Sequence, residues 1–197
     1  MTMSSCPTLQ TPRLTLKPID KSNAESLFAM WHSDGLAELS GIDAPTDVEF
    51  LRSGIQYFEQ MNTSGWYRKW SIFLTDSNRL IGECEAYPLK PQIAPWEEWG
   101  VGYTLEKRSW RQGLMFEALS CVLSHVFEQG STLRVKADVG EWNTPSIKLL
   151  EKLGFHHEGL QRSKNMTQGQ SHDMKLLALT RKHYLMSACH ESTVQPF

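Results

Sequence analysis

The sequence predicts a single α/β domain with a mixed central sheet of about six to seven strands, in the order β-α-α-β-β-β-α-β-α-β-β. Three observations carry this. Segments that alternate apolar and polar residues are interleaved with segments of helical spacing, an α/β pattern rather than an all-α or all-β one. Residues 98 to 139 read strand, helix, strand, an arrangement that sets the two strands parallel with the helix packed over them. Finally, 197 residues of which 40% are apolar suffice for one core, and no linker or internal repeat divides the chain.

Residues 13 to 19 (RLTLKPI) alternate around Leu14 and Leu16 and read as the first strand, leaving 1–12 as a lead-in. A helix is expected from Ser22, with Glu25 completing a capping box and Ala24, Leu27, Phe28 and Trp31 on its buried face. Thr46 with Glu49 predicts a second box, opening a helix that carries Val48, Leu51, Ile55 and Phe58. WSIFL (70–74) and RLIGECEAY (79–87), joined by Asp76-Ser77-Asn78, form a hairpin pattern, and a third strand covers 98 to 105. After the helix within 109–130 comes LRVKADV (133–139), with Leu133, Val135, Ala137 and Val139 on one face. Asn143-Thr144-Pro145-Ser146 starts the next helix, and Leu153-Gly154-Phe155 ends it in a Schellman pattern. Strands near 157–163 and 173–180 flank a turn at Gly169. The last dozen residues show no pattern. The domain is therefore expected over 13–182, with a tail at 183–197.

Twenty basic residues against 22 acidic ones give a net charge of −2, which argues against a nucleic-acid binder working by phosphate neutralisation. MTMSS lacks the pattern of a secretory signal, and no apolar run is long enough for a bilayer. The cysteines (Cys6, Cys84, Cys121, Cys189) are scattered, with neither a disulfide framework nor zinc spacing. A cytoplasmic protein with no metal and no membrane or nucleic-acid partner is expected, as a monomer or homodimer. His156-His157 and His172 read as exposed strand-end residues.

The helix in SWRQGLMFEALSCVLSHVFEQG poses a chemical question. Gly113 stands at its start, where Ser, Thr, Asp or Asn would normally cap the open N–H groups. Uncapped N–H groups and the positive end of a helix dipole bind anions, and a glycine lets phosphate oxygens approach the backbone. Turn geometry alone would also explain the glycine. Walker and G-x-G-x-x-G patterns are absent.

GVGYTLEKRSWRQGLMFEAL, followed by ADVGEWNTPSIKLLEKLGFHHEG, resembles the GNAT family of acetyl-CoA-dependent N-acetyltransferases, most nearly the RimJ/RimL-type branch that acetylates N-terminal amines of ribosomal proteins. TPRLTLKPI resembles that branch's first strand. The family's loop pattern, Gln/Arg-x-x-Gly-x-Gly/Ala, falls on Trp110-Arg111-Gln112-Gly113-Leu114-Met115 and departs from it at both ends. The resemblance implies that two central parallel strands splay apart to hold acetyl-CoA. Its pyrophosphate would lie at Trp110, Arg111, Gln112, Gly113, Leu114, Met115 and Phe116, and its pantetheine along Tyr103, Thr104 and Leu105. Asn143 fits the family's pantetheine-contacting Asn, though a plain helix cap explains it equally.

Acetyl transfer requires a neutral amine and a proton for the departing thiolate. At pH ~7.5 roughly a quarter to a third of α-amines are neutral, against about one lysine in a thousand, so an N-terminal acceptor asks little of a base. Glu83, Glu85 and Glu98 are the strand carboxylates available; Glu83 and Glu98 are the base candidates, and Glu85 shares the face of Glu83. They also read as exposed residues balancing neighbouring cations. Ser146 is the expected proton donor or thiolate partner, or else a first-turn helix serine. Trp96 and Trp99, in KPQIAPWEEW, are candidate walls of the acceptor channel or else core residues, with Glu85 beside them. The acceptor is expected to be a protein N-terminus. A small amine metabolite, toxin or antibiotic is the alternative, and an acyl-CoA sensor without turnover is an alternative of another class.

Overall fold

The chain runs β1 (Leu9–Gln10), β2 (Leu14–Pro18), α1 (Ala24–Trp31), α2 (Leu36–Ser40), α3 (Val48–Ser64), β3 (Arg68–Leu74), β4 (Leu80–Pro88) and β5 (Glu98–Leu105). It continues through α4 (Leu114–Phe127), β6 (Arg134–Gly140), α5 (Thr144–Lys152), β7 (His156–Thr167), β8 (Gln170–Thr180) and α6 (Arg181–Ser192). This computed structural model describes residues 5–33, 35–93, 95–128, 130–167 and 169–192. The strands form one sheet in the order β1-β2-β3-β4-β5-β6-β8-β7. Every neighbouring pair is antiparallel except β5 and β6, the pair joined through α4.

The sheet carries a core on each face. Trp70, Cys84, Val135 and Leu177 pack with Ala118, Leu119 and Val122 of α4. Period-two alternation turns the intervening residues the other way, so Lys69 lies over the Phe58 ring of α3, 4.8 Å from its centroid. On that side Ile19, Leu27, Trp31 and Ile55 join α1 to α3. Of the four apolar residues expected on α3, Ile55 is fully buried, while Val48, Leu51 and Phe58 pack at the margin.

Both expected capping boxes are displaced. Asp20, not Ser22, caps the first helical segment: its Oδ1 accepts from Ser22 N at 2.7 Å, and a 3-10 turn over Lys21–Asn23 leads into α1. Asp47, one residue past Thr46, caps α3 by accepting from Phe50 N at 2.7 Å. In both places a carboxylate stood beside the hydroxyl residue, and a full negative charge suits a helix N-terminus better. The glutamates of the two boxes instead hold Arg52, Glu25 at 2.5 Å and Glu49 at 3.2 Å. The Schellman ending of α5 is present: Phe155 N donates to Leu150 O and Gly154 N to Glu151 O, both at 3.0 Å, with Gly154 at φ +87°.

Three elements escape the sequence pattern. β1 has two residues, too few to alternate, yet it makes an eighth strand. α2 is a five-residue helix between the left-handed glycines Gly35 and Gly41. α6, in a stretch without an apolar face, is fixed at its start by Arg181, which donates to Thr132 O and Phe127 O at 2.7 and 2.6 Å, and by Tyr184 stacked on Phe127.

Candidate active site

β5 and β6 begin as neighbours and then part. The ladder joins Glu98, Trp99 and Gly100 to Arg134, Val135 and Lys136 and goes no further. The other edges stay paired throughout, β5 with β4 from Trp99 to Leu105 and β6 with β8 from Arg134 to Gly140. The strands therefore open into a cleft of about 570 Å³, walled by Val101 to Leu105 on one side and Ala137 to Gly140 on the other. The first turn of α4, the start of α5 and the α2 segment complete it.

Gly113 is the N-cap of α4 at φ +74°, and no side chain caps the helix. Arg111 is also left-handed, at φ +59°, a conformation uncommon outside glycine. Glu117, in the first turn, is held outward: it accepts from Thr11 Oγ1 at 2.6 Å and from Arg13 N and Nε at 2.9 and 2.6 Å. Burial alone would raise its pKa, but the Thr11 and Arg13 contacts outweigh that and keep the carboxylate below its ordinary range. Arg13 also donates to Gln112 O at 2.9 Å. The N-terminal N–H groups of α4 thus remain open toward the cleft while the acidic residue of that turn is tied elsewhere.

Of the residues that the resemblance assigns to the cofactor, Tyr103, Thr104, Leu105, Trp110, Arg111, Gly113, Leu114, Met115, Phe116, Asn143 and Ser146 line this one cleft. Gln112 does not; its Nε2 donates to Arg108 O at 2.9 Å on the exposed side of the loop. Trp110 is fixed by donating Nε1 to Leu105 O at 2.7 Å, which ties the loop to the end of β5. Asn143 has two tasks. Its Oδ1 accepts from Ser146 N at 3.1 Å, capping α5, and its Nδ2 donates to Leu39 O of α2 at 3.0 Å. Ser146 Oγ and Tyr103 Oη are 2.7 Å apart. Burial drives the Tyr103 hydroxyl up to about 12, against a smaller opposing effect of the Ser146 bond, so it stays protonated at neutral pH.

The carboxylates divide. Glu83 is 7% exposed, accepts from Trp31 Nε1 at 3.2 Å, and lies 3.3 Å from Lys69 Nζ. Glu85 accepts from the same Lys69 at 3.0 Å. Burial would discharge this ammonium, but the two carboxylates outweigh it and hold the Lys69 pKa above the ordinary lysine value. Asn62 fixes the Lys69 backbone from both sides, accepting from its N and donating to its O at 2.9 Å. Neither glutamate lines the cleft itself, yet Glu85 lies against its wall: a Cβ on Gly102 would stand 2.8 Å from Glu85 Oε1. A glycine at 102 is what allows the carboxylate to lie across β5. Tyr87 crosses Gly100 in the same way and stacks on Tyr67, centroids 5.4 Å apart.

Glu98 and the two tryptophans lie elsewhere. Glu98 begins β5, where the ladder is still closed, and pairs with Arg134 at 3.5 Å and Lys90 at 3.9 Å. Trp99 is 1% exposed in the core, donates Nε1 to Trp96 O, and meets Trp96 edge to face. A side chain sealed in the core touches no acceptor, and Glu98 stands at the wrong end of its strand to act as a base. Sequence reading missed Trp31 and Lys69, which bind the carboxylates, and Lys148 and Lys152, which line the cleft. The i, i+4 spacing of those two lysines was the available signal.

Residues 13–156 match the acetyltransferase (GNAT) domain family, and the chain belongs to that family of N-acetyltransferases. Over 177 residues it is 30% identical to the uncharacterized N-acetyltransferase p20 of Bacillus licheniformis, covering 90% of this chain and 98% of that one. It is 34% identical over 80 residues, 41% of either chain, to the [ribosomal protein uS5]-alanine N-acetyltransferase of Escherichia coli. Among solved structures it has the fold of RimL, the ribosomal L7/L12 α-N-protein acetyltransferase, in complex with coenzyme A, with TM-score 0.78 at 20% identity over 88% of this chain and 98% of that one. Among the described residues, no helix is long and apolar enough to cross a membrane.

Proposed function

We propose that this chain transfers an acetyl group from acetyl-CoA to the α-amine of a protein N-terminus by direct attack of the amine on the thioester. The observation that carries the reading is the coincidence of two openings: the β5–β6 ladder stops after three pairs, and the uncapped end of α4 faces the same cleft. A pantetheine arm needs an unpaired strand edge, and a pyrophosphate needs free N–H groups beside a glycine. Both stand in one cavity, so the residues present fit acetyl-CoA. Gly113, Leu114, Met115, Phe116 and Arg111 would hold the pyrophosphate, and the edge of β5 from Tyr103 to Leu105 the pantetheine.

When bound, acetyl-CoA supplies an electrophilic thioester carbonyl and a thiolate leaving group. The chain's own groups do the rest. A backbone N–H on the open edge of β5 donates to the carbonyl oxygen, and a fixed donor is worth most where negative charge develops. Ser146 would give a proton to the departing sulfur, and Tyr103, kept protonated by burial, would donate to Ser146 in turn, while the proton lost by the attacking nitrogen leaves to solvent. Glu83 and Glu85 with Lys69 leave one net negative charge on the acceptor side, enough to attract an ammonium. Both carboxylates are already committed to Lys69, which suits an acceptor that is partly neutral at pH ~7.5 better than it suits a lysine side chain. The E. coli relative named as a ribosomal protein uS5 alanine N-acetyltransferase supports the choice of a protein acceptor.

The test is thiol release from acetyl-CoA with three acceptors: peptides with free Ser or Ala N-termini, the same peptides N-blocked but containing lysine, and small amines. Release with the free N-termini alone is the expected result. Release with small amines alone overturns the acceptor, and cofactor binding without release to any amine overturns turnover itself.

A further inference from the structure

The loop that opens α4 is held from outside the cleft, by the turn between β1 and β2. Those strands pair Leu9 with Leu16 and Gln10 with Thr15, and Thr11, Pro12 and Arg13 join them. Thr11 N donates to Leu14 O at 2.9 Å and Leu14 N donates to Thr11 Oγ1 at 3.0 Å, which closes the turn. The two-residue β1 thus presents this turn to α4.

Arg13 reaches the loop with every nitrogen of its guanidinium. Nε donates to Glu117 Oε2 at 2.6 Å, Nη1 donates to Gln112 O at 2.9 Å, and Nη2 stands 3.6 Å from where a Cβ on Gly113 would lie. One rigid, planar cation therefore spans both ends of the stretch from Gln112 to Glu117. The Gln112 carbonyl it holds lies between two left-handed residues, Arg111 and Gly113. Glu117 is the difficulty in this stretch. A carboxylate in the first turn suits the helix dipole, but it opposes a second anion at the same end. Arg13 balances that charge, while Thr11 Oγ1 and the Arg13 N–H keep the carboxylate away from the open N–H groups. Neither Arg13 nor Glu117 lines the cleft, so their influence on a ligand there passes through the loop and through charge.

We infer that Arg13 is a positioning residue for the acyl donor, cancelling the Glu117 charge and fixing the Gln112 carbonyl so that the first turn of α4 can receive a diphosphate. This rests on the acyl-CoA reading above. In the competing arrangement Arg13 turns Nη2 onto the diphosphate directly. The two differ in what happens when the Glu117 charge is removed as well.

The experiment is titration calorimetry of the full chain with CoA, for wild type, Arg13→Met, Glu117→Gln and Arg13→Met/Glu117→Gln, each checked by melting temperature. The Arg13 side chain is half exposed, so the variants are expected to fold. In Arg13→Met the Thr11 hydroxyl and the backbone N–H at position 13 still hold Glu117 in place, now with its charge unbalanced. CoA affinity should fall about 10-fold, the scale of one unbalanced charge in a partly solvated site, and added salt should shrink the loss. Glu117→Gln should stay within about twofold of wild type, and the double variant should recover to within about threefold. A purely structural role gives no such recovery, because removing a second partner would loosen the loop further. Wild-type affinity in Arg13→Met overturns the inference while leaving the cofactor reading intact. A double variant as weak as Arg13→Met also overturns it, assigning Arg13 to direct contact with the diphosphate, or to folding where the melting temperature falls in step. Failure of wild type to bind CoA removes the cofactor reading, and the inference with it.

Discussion

The cleft and the layer behind its β5 wall are built from different materials. The lining proposed for the cofactor is mostly backbone: the unpaired edge of β5, the bare first turn of α4, and a left-handed Arg111 and Gly113 between them. The layer behind, proposed to face the acceptor, is mostly side chains: Trp31 from α1, Lys69 from β3, and Glu83 and Glu85 from β4, with Glu85 laid across Gly102 of β5. Backbone groups bind whatever shares their geometry and tolerate substitution nearby. A cluster of buried charges tolerates almost none, since each member exists in the state its partners impose.

The sharpest way to break this contrast is Lys69→Met. Removing the cation leaves two carboxylates buried without their partner, and the loss should be about 3–5 kcal/mol in urea unfolding at pH 7. Because the Lys69 pKa is raised in the folded state, its contribution is full below the unfolded value near ~10.4 and fades only as pH rises through the folded one. The deficit should therefore be constant from neutrality to about pH 10 and narrow above it. A loss under about 1 kcal/mol would mean that the cluster is solvated, not sealed.

Ser146→Ala should lower turnover about 100-fold with cofactor affinity within about twofold, and Tyr103→Phe about 10-fold, since it removes only the second donor. Single-turnover kinetics beside calorimetry reads both. Unchanged turnover in the serine variant would end its role as proton donor.

The cofactor side is tested by Gly113→Val against Gly113→Asn. Each places a Cβ where oxygens should approach, and each should cost about 10-fold or more in cofactor affinity. Only valine should also cost about 1–2 kcal/mol of stability, because at φ +74° a β-branched residue is strained while Asn is tolerated. Equal affinity for glycine and asparagine proteins would reduce Gly113 to a turn residue. The smallest effect belongs to Glu106, at the joint between β5 and the loop into α4. It accepts from Ser109 Oγ at 2.6 Å, from Arg108 at 2.7 Å and from Arg79. Burial would raise its pKa, but these bonds lower it. Glu106→Gln should cost about 1–2 kcal/mol at pH 7, a gap that closes as pH falls below ~4.3 toward the depressed folded pKa and the native carboxylate protonates.

The same contrast explains what could be read without coordinates. Period-two runs, the βαβ unit and the Schellman sequence at Leu153-Gly154-Phe155 are local, and they placed β2 to β8 and the two helices that frame the cleft. Gly113 was legible because a glycine in place of a cap is a local anomaly. The acceptor side was not. Lys69 meets Glu83 and Glu85 only through strand register, and Trp31 arrives from a helix 52 residues from Glu83. Glu98 looked as suitable as Glu83 because a strand's sequence does not say which of its ends opens. Trp96 and Trp99 look alike whether they face a channel or a core. α2, a single short turn between two left-handed glycines, lacks the length for a helical period.

That short helix has a consequence for how the cleft is held together. α2 is fastened at Leu39 O by Asn143, the residue that caps α5, and at the Gly41 carbonyl by Asn165 and Thr167 of β7, at 2.5 and 2.6 Å. One amide thus holds the start of α5 with its oxygen and α2 with its nitrogen, so neither wall of the cleft can shift at this point without disturbing the hold on the other.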